Sequence, residues 1–367
     1  MIPYGHQFID KHDKDTVLRV LDSDWLTQGS EVDKFENVLA TYCGAKYAVA
    51  VNNGTSALLL AYLAVGLKKG DEVITTANTF VATSNMLLAV GAKPVFCDIR
   101  LDNYNIDEQK IEKLINKKTK AIVPVHFAGH PCGMSAIWRI AKKHKLNVIY
   151  DGAHALGAQY KGKTAGVNYG NLCTFSFHPV KTITTGEGGA IITNDSKIYK
   201  KLLLLRAHGI VKNEQGMVVM KTFGYNCRLT DFQCALGCSQ MKKVGVFVKK
   251  RNRIAGWYRD NLFDMTDIIL PKEDHNVESS WHLYVIRVKD PTQRIKLSQY
   301  LKKEGVGVNY HYPPVYAQPY YREHGYRRVS LLNTEKYGES CLTIPCYVAM
   351  TKKDVDFIAQ KIRNFFE

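Results

Sequence analysis

TFSFHPVKTITTGEGGAIITN, residues 174–194, decides how this chain is read. An apolar, β-branched run ends at Ser176, a loop carries Lys181 among Pro179, Val180, Ile183 and several threonines, and GEGG then turns the backbone into another apolar strand. A lysine surrounded in this way is poorly solvated. Desolvation lowers its pKa and makes the neutral amine available as a nucleophile and Schiff-base former. The alternative for any loop lysine is a solvated surface charge, and only the flanking pattern speaks against it.

Outward from this stretch the chain alternates short β-branched runs with helical patterns. KYAVAV precedes a helix from Thr55, EVITT one near Thr79, KPVFCDI the run IDEQKIEKLI, and KAIVPVHF one near Ser135; NVIYD comes before CTFSF and GAIITN. That alternation predicts an α/β fold with a mostly parallel sheet flanked by helices. In such sheets ligands gather beyond the carboxyl ends of the strands. After about residue 248 the texture changes to a basic amphipathic helix (FVKKRNRIAGWYRDNL), the strand HLYVIRV, a helix from Pro291, the loop HYPPVYAQPYY and a last helix from Thr351. Residues 1–248 are therefore expected to form a large domain and 249–367 a smaller α+β domain. The first thirty residues, ending in DWLTQG, are expected to supply a helix and a loop near the site.

Size and composition agree. At 367 residues the chain exceeds the roughly 250 to 300 at which one core stops growing. No repeat or low-complexity tract interrupts it. The longest apolar run, Ser56 to Leu67, is well short of the roughly 18 residues a membrane helix needs, and the opening lacks a signal-peptide core. The nine cysteines include no CxxC pair, which suits buried free thiols in a reducing compartment; a cytoplasmic protein without membrane attachment is expected. A formal charge of +16 favours anionic partners. The basic residues are dispersed and no nucleic-acid motif accompanies them, so an anionic small substrate is expected rather than DNA or RNA.

Three further segments fall where strands hand over to helices. NNGTSAL at 52–58 places Thr55 and Ser56 at a helix start, where backbone N–H groups, hydroxyls and the helix dipole can meet an anion; the same residues also make an ordinary N-cap. YDGAHA at 150–155 ends a strand in Asp151, with His154 three residues on. A carboxylate held there can keep a heterocyclic nitrogen protonated, although an Asp capping the next turn and a satisfied histidine would look alike. FGYNCRLTDFQCALG at 223–237 brings Asn226 and Arg228 to the start of an amphipathic helix, suited to donating to an anion.

GTSAL, TFVAT, DGAHA, SFHPVK followed by GEGG, GYNCRL with Gln233 after it, and HYPPVY with QPYY occur over nearly the whole chain. In that order they resemble the sugar-nucleotide aminotransferases, fold-type I pyridoxal-phosphate (PLP) enzymes of the DegT/DnrJ/EryC1/StrS type. The resemblance implies a large domain with a mostly parallel seven-stranded sheet and a smaller α+β C-terminal domain. It also implies PLP, alternating with its pyridoxamine form, as cofactor, and no metal. Lys181 would bind the cofactor covalently, Asp151 would pair with the pyridinium nitrogen, and His154 would stand near the phenolic oxygen. Phe80 would stack on the ring. Thr55, Ser56 and Ser176 would hold the phosphate, with Asn226 coming from the neighbouring subunit of a homodimer. Arg228, His311 and Tyr312 would lie around the substrate.

Within the family the likeness is strongest to enzymes that aminate C4 of a UDP-linked 4-keto-6-deoxy-N-acetylhexosamine, with L-glutamate as donor, in making aminosugars for surface glycans. A 3-aminotransferase and a GDP-perosamine-type 4-aminotransferase are the alternatives. A dehydratase or decarboxylase would use the same cofactor cradle with different proton traffic. A non-catalytic protein that binds PLP or another ligand, or a basic scaffold for nucleic acid, stands outside the enzyme class.

Overall fold

The computed structural model describes residues 1–367. Seven strands form the central sheet, in the spatial order Tyr47–Val51, Gly189–Thr193, Leu172–Ser176, Asn147–Asp151, Thr119–Val123, Glu72–Thr76 and Lys93–Cys97. Neighbouring strands from Leu172–Ser176 to Lys93–Cys97 pair in parallel, and Gly189–Thr193 runs antiparallel to both of its neighbours. The expectation of a mostly parallel sheet holds, with one strand reversed.

Both faces of the sheet are covered, which is why the strands read as unbroken apolar runs rather than alternating ones. Ala48, Ala50, Ala190 and Ile192 face a core shared with Phe35, Leu39 and Ile137. Their neighbours Val49, Val51 and Ile191 face the other side, against Leu58, Ala61 and Leu202. The second face is closed by helices Gly54–Ala64 and Ser196–Arg206, each started by a side-chain cap, from Asn53 and Asp195 respectively.

A third core gathers Ile254, Tyr258, Tyr284, Ile286, Leu297, Leu342 and Ile358 from helices Val244–Leu262, Pro291–Lys303 and Lys352–Phe366 and a small antiparallel sheet. Helix Val244–Leu262 belongs to two cores: Val244, Phe247 and Val248 pack in the first, Ile254, Ala255, Tyr258 and Leu262 in the third. Residue 248 therefore lies inside a continuous helix. The opening residues also join the third core, since Ile2 packs against it and its backbone pairs with Gly305 and Gly307 at 2.8 and 2.7 Å. Helix Lys11–Leu21 follows, capped by Asp10 and pinned by Asp13, whose carboxylate meets Ser239, Gln240 and Lys243. This anchorage leads the chain from residue 2 past the sheet's carboxyl edge, where Tyr4 reaches the cleft described next.

Candidate active site

A cavity of about 680 Å³ opens at the carboxyl ends of the central strands, between the sheet and the third core. Strand Asn147–Asp151 delivers Asp151 to it, 5% exposed. One carboxylate oxygen accepts a hydrogen bond from Thr83 Oγ1 at 2.7 Å, the other from the Ala153 amide at 3.1 Å, and Thr83 is in turn 2.7 Å from Thr79. Burial pushes the Asp151 pKa up, and the Thr83 and Ala153 bonds and the charge of Lys181 act against it. An anion fixed here, with only neutral donors in contact, is suited to a cationic partner entering the cleft.

Lys181 hangs from the loop after strand Leu172–Ser176, its amide donating to the His178 carbonyl at 2.9 Å. The residue is partly open to the cleft, yet protein crowds its amine enough that desolvation lowers its pKa to about 8. Asp151 opposes that shift and the Arg251 charge adds to it. At neutral pH an appreciable fraction of the amine is therefore unprotonated. Its Nζ lies 3.4 Å from Nε2 of His282, a residue 5% exposed.

His154 is buried behind this pair, its ring centroid 4.4 Å from that of His282. The Ala128 amide donates to His154 Nδ1 at 3.3 Å, and Nε2 lies 3.3 Å from the Tyr312 hydroxyl. Burial holds the ring neutral, so a ring whose Nδ1 accepts must carry its proton on Nε2 and donate it to Tyr312. His311, bonded through Nδ1 to Thr343 at 2.8 Å, also lines the cleft, its pKa lowered to about 3 by burial and the charge of Lys181.

Opposite these residues the sheet and helix Gly54–Ala64 meet. Asn53 takes the Ser56 amide at 2.8 Å, which leaves Gly54 and Thr55 with no intrahelical partner for their amides. Gly54, Thr55 and Ser176 line the cavity there. The approach is close: a Cβ on Gly54 would sit 2.9 Å from that of Ser176, and one on Gly189 would sit 2.5 Å from the Asn53 carbonyl group. Only glycine leaves this pocket of donors open. Phe80, 57% exposed, stands at the rim with its ring 6.1 Å from that of Tyr312.

A model of the DegT/DnrJ/EryC1/StrS aminotransferase family matches residues 7–363. The chain belongs to this family. It is 41% identical over 374 residues to the UDP-4-amino-4,6-dideoxy-N-acetyl-beta-L-altrosamine transaminase of Campylobacter jejuni, covering 100% of this chain and 98% of that protein. Among solved structures, Helicobacter pylori PseC, an aminotransferase involved in the biosynthesis of pseudoaminic acid, superposes with a TM-score of 0.95 at 37% identity, over 100% of this chain and 99% of that one. Spr1654 of Streptococcus pneumoniae, solved in PLP and PMP forms, gives 0.94 at 29% identity over 99% of this chain, the PLP form covered over 98% of its length.

As a DegT/DnrJ/EryC1/StrS member the protein is an aminotransferase of fold type I, and PLP is its cofactor. The cleft fits that group. It offers a glycine-opened cradle of amides and hydroxyls for a phosphate, a buried carboxylate for a ring nitrogen, a rim aromatic for a planar ring and a low-pKa amine for an aldehyde.

Most residues singled out from sequence line this one cavity: Thr55, Phe80, Asp151, His154, Ser176, Lys181, His311 and Tyr312. Ser56 lies one residue beyond the lining, its amide committed to the Asn53 cap. Asn226 and Arg228 sit in the loop before helix Asp231–Met241, not within it, and do not line the cleft of their own chain; Asn226 is exposed and Arg228 reaches Gln28 at 3.4 Å. Sequence reasoning missed Tyr4, Thr83, Arg251 and His282. For His282 the available signal was a histidine interrupting the apolar approach to strand Tyr284–Val288, but it precedes that strand, where a strand-end rule does not look.

Proposed function

We propose that this chain transfers an amino group from L-glutamate to C4 of a UDP-linked 4-keto-6-deoxy-N-acetylhexosamine, supplying an aminosugar for surface glycans. The single observation that carries the substrate reading is the full-length likeness to the Campylobacter altrosamine transaminase, and the PseC likeness supports it. The aminotransferase chemistry itself needs only the cleft.

Lys181 is the reactive group in this reading. Its partly neutral Nζ attacks a carbonyl, is released when the amino donor enters, and then takes a proton at Nζ and returns it on the other side of the reaction. PLP supplies the electron sink for the carbanion formed at the donor's α-carbon and carries the amino group between the two halves of the reaction. Asp151, steadied by Thr83 and Ala153, would hold the ring N–H of the cofactor and so keep that nitrogen cationic. His154, its Nε2 proton donated to Tyr312, would stand near the phenolic oxygen. Thr55, Ser56 and Ser176 take the phosphate, and Phe80 covers the ring. His311 and Tyr312 would flank the sugar, and Arg228, like Asn226, would reach it only in the cleft of a partner subunit.

Exposure of Asn226 on its own chain supports its service in a partner's cleft, hence a homodimer with shared sites in the cytoplasm. The basic excess would draw the diphosphate of the nucleotide toward the mouth. Residues 1–248 and 249–367 are proposed as the cofactor-binding and small domains. The deciding assay offers glutamate with UDP-4-keto, UDP-3-keto and GDP-4-keto sugars and follows 2-oxoglutarate. Sustained turnover with the UDP-4-keto-6-deoxy substrate is expected; turnover only with a 3-keto or GDP-linked sugar overturns the substrate assignment.

A further inference from the structure

Arg251 is 1% exposed, and no carboxylate neutralises it. Its Nη1 donates to the carbonyls of Trp281, His282 and Cys346 at 3.2, 3.2 and 2.6 Å, while Nε has no partner. A buried, unpaired cation is expensive, and a neutral side chain could tie these two segments together at less cost. The position of the charge gives a reason for it. Arg251 acts on two of the bases in the cleft, Lys181 and His282: burial lowers the pKa of both, and the Arg251 charge adds to that shift, whereas His154 and His311 are lowered by burial and by the charge of Lys181. Asp151 is the one acidic group acting on Lys181, and it pulls the other way, toward the ammonium.

The same clamp fixes the backbone that carries His282. Nε2 of that ring stands 3.4 Å from Lys181 Nζ, and its Nδ1 is buried with no partner at all. A neutral imidazole has one donor and one acceptor nitrogen. With the proton on Nδ1, Nε2 is free to accept an N–H of the amine and leave the lone pair of Nζ available.

We propose that Arg251 is a positioning residue for amino transfer: it clamps the 281–282 backbone so that His282 Nε2 holds the free amine of Lys181. The inference rests on the reading of Lys181 as the reactive amine. In each cycle the lysine is set free when the amino donor enters and stays free until the aminated product leaves, and a docking acceptor keeps it oriented and reactive through that interval.

The test follows PLP uptake by the cofactor-free protein as a function of pH, because capture of an aldehyde requires the neutral amine. For the unaltered protein the uptake rate should climb with pH, pass half its plateau at about 8 and level off above that. H282F removes the docking nitrogen and should lower the plateau severalfold. R251M, checked for native circular dichroism, frees the backbone that carries His282 and should lower the plateau likewise, and R251K, which keeps a donor for those carbonyls, should restore part of it. A folded R251M with an unchanged plateau overturns the clamp, and H282F with an unchanged plateau overturns the docking, including when R251M does not fold. K181A separates the two readings. Borohydride-fixed cofactor in K181A would sink the lysine assignment itself, whereas its loss there, with R251M and H282F behaving as the unaltered protein, sinks only this inference.

Discussion

Replacing Lys181 by methionine should stabilise the cofactor-free protein while ending its chemistry. Methionine roughly conserves the volume of the lysine stem and carries no charge. The folded amine titrates at about 8 against an ordinary 10.5. At about 1.36 kcal/mol for each pH unit, that difference means folding disfavours the ammonium by about 3 kcal/mol. Contact with the open cleft makes this an upper figure. Below pH 8 the amine is protonated in both folded and unfolded chains, so the cost is borne in full and the methionine variant gains most. Between pH 8 and 10.5 the folded amine is neutral while the unfolded one is still charged, so the stability of the unaltered protein rises with pH and the gap closes. Above 10.5 neither is charged and no gap remains. Urea unfolding of both cofactor-free proteins, at matched protein concentration, at about pH 7 and about pH 10 measures the gap directly, because other titrating groups are common to both. A methionine variant no more stable than the parent at about pH 7, or a gap that does not shrink at about pH 10, would mean that the amine is solvated as on a surface, and would refute the desolvation argument.

Asp151→Asn should leave the fold intact and lower transamination by about 10² to 10³, since an amide does not stabilise a cationic ring nitrogen; near-normal turnover in the loaded variant would remove Asp151 from its proposed role. Gly189→Ala would put a methyl 2.5 Å from the Asn53 carbonyl carbon. It should destabilise by about 1 to 3 kcal/mol and loosen cofactor retention, read from the urea midpoint and from PLP lost on gel filtration. Glu36→Ala would strip the largely buried Arg206 side chain, 15% exposed, of its carboxylate; a loss of about 1 to 3 kcal/mol is expected, and an unchanged thermal midpoint would show that the pair holds nothing together.

What the sequence determined by itself was local. Strands buried on both faces must be apolar throughout, so seven apolar runs, most of them followed by helical patterns, announced a sheet, and Thr55, Asp151 and Lys181 at the ends of those runs were legible as a site because a parallel sheet brings its carboxyl ends to one edge; Ser176 was legible only through the family resemblance. The reversal of strand Gly189–Thr193 was not legible, since a run buried on both faces looks the same in either direction. Nor was the inner lining. Thr83 is 68 residues from the Asp151 it holds, and His282 is 101 residues from Lys181. Arg251 reaches both His282 and Cys346 from a helix shared between two cores. A side chain's desolvation and hydrogen bonding depend on everything packed around it, and those neighbours arrive from distant parts of the chain only when the cores close. The sequence thus fixed which groups stand at the strand ends, while folding alone decided which of them lose water, which way their protons face, and that Asn226 and Arg228 turn away from their own cleft.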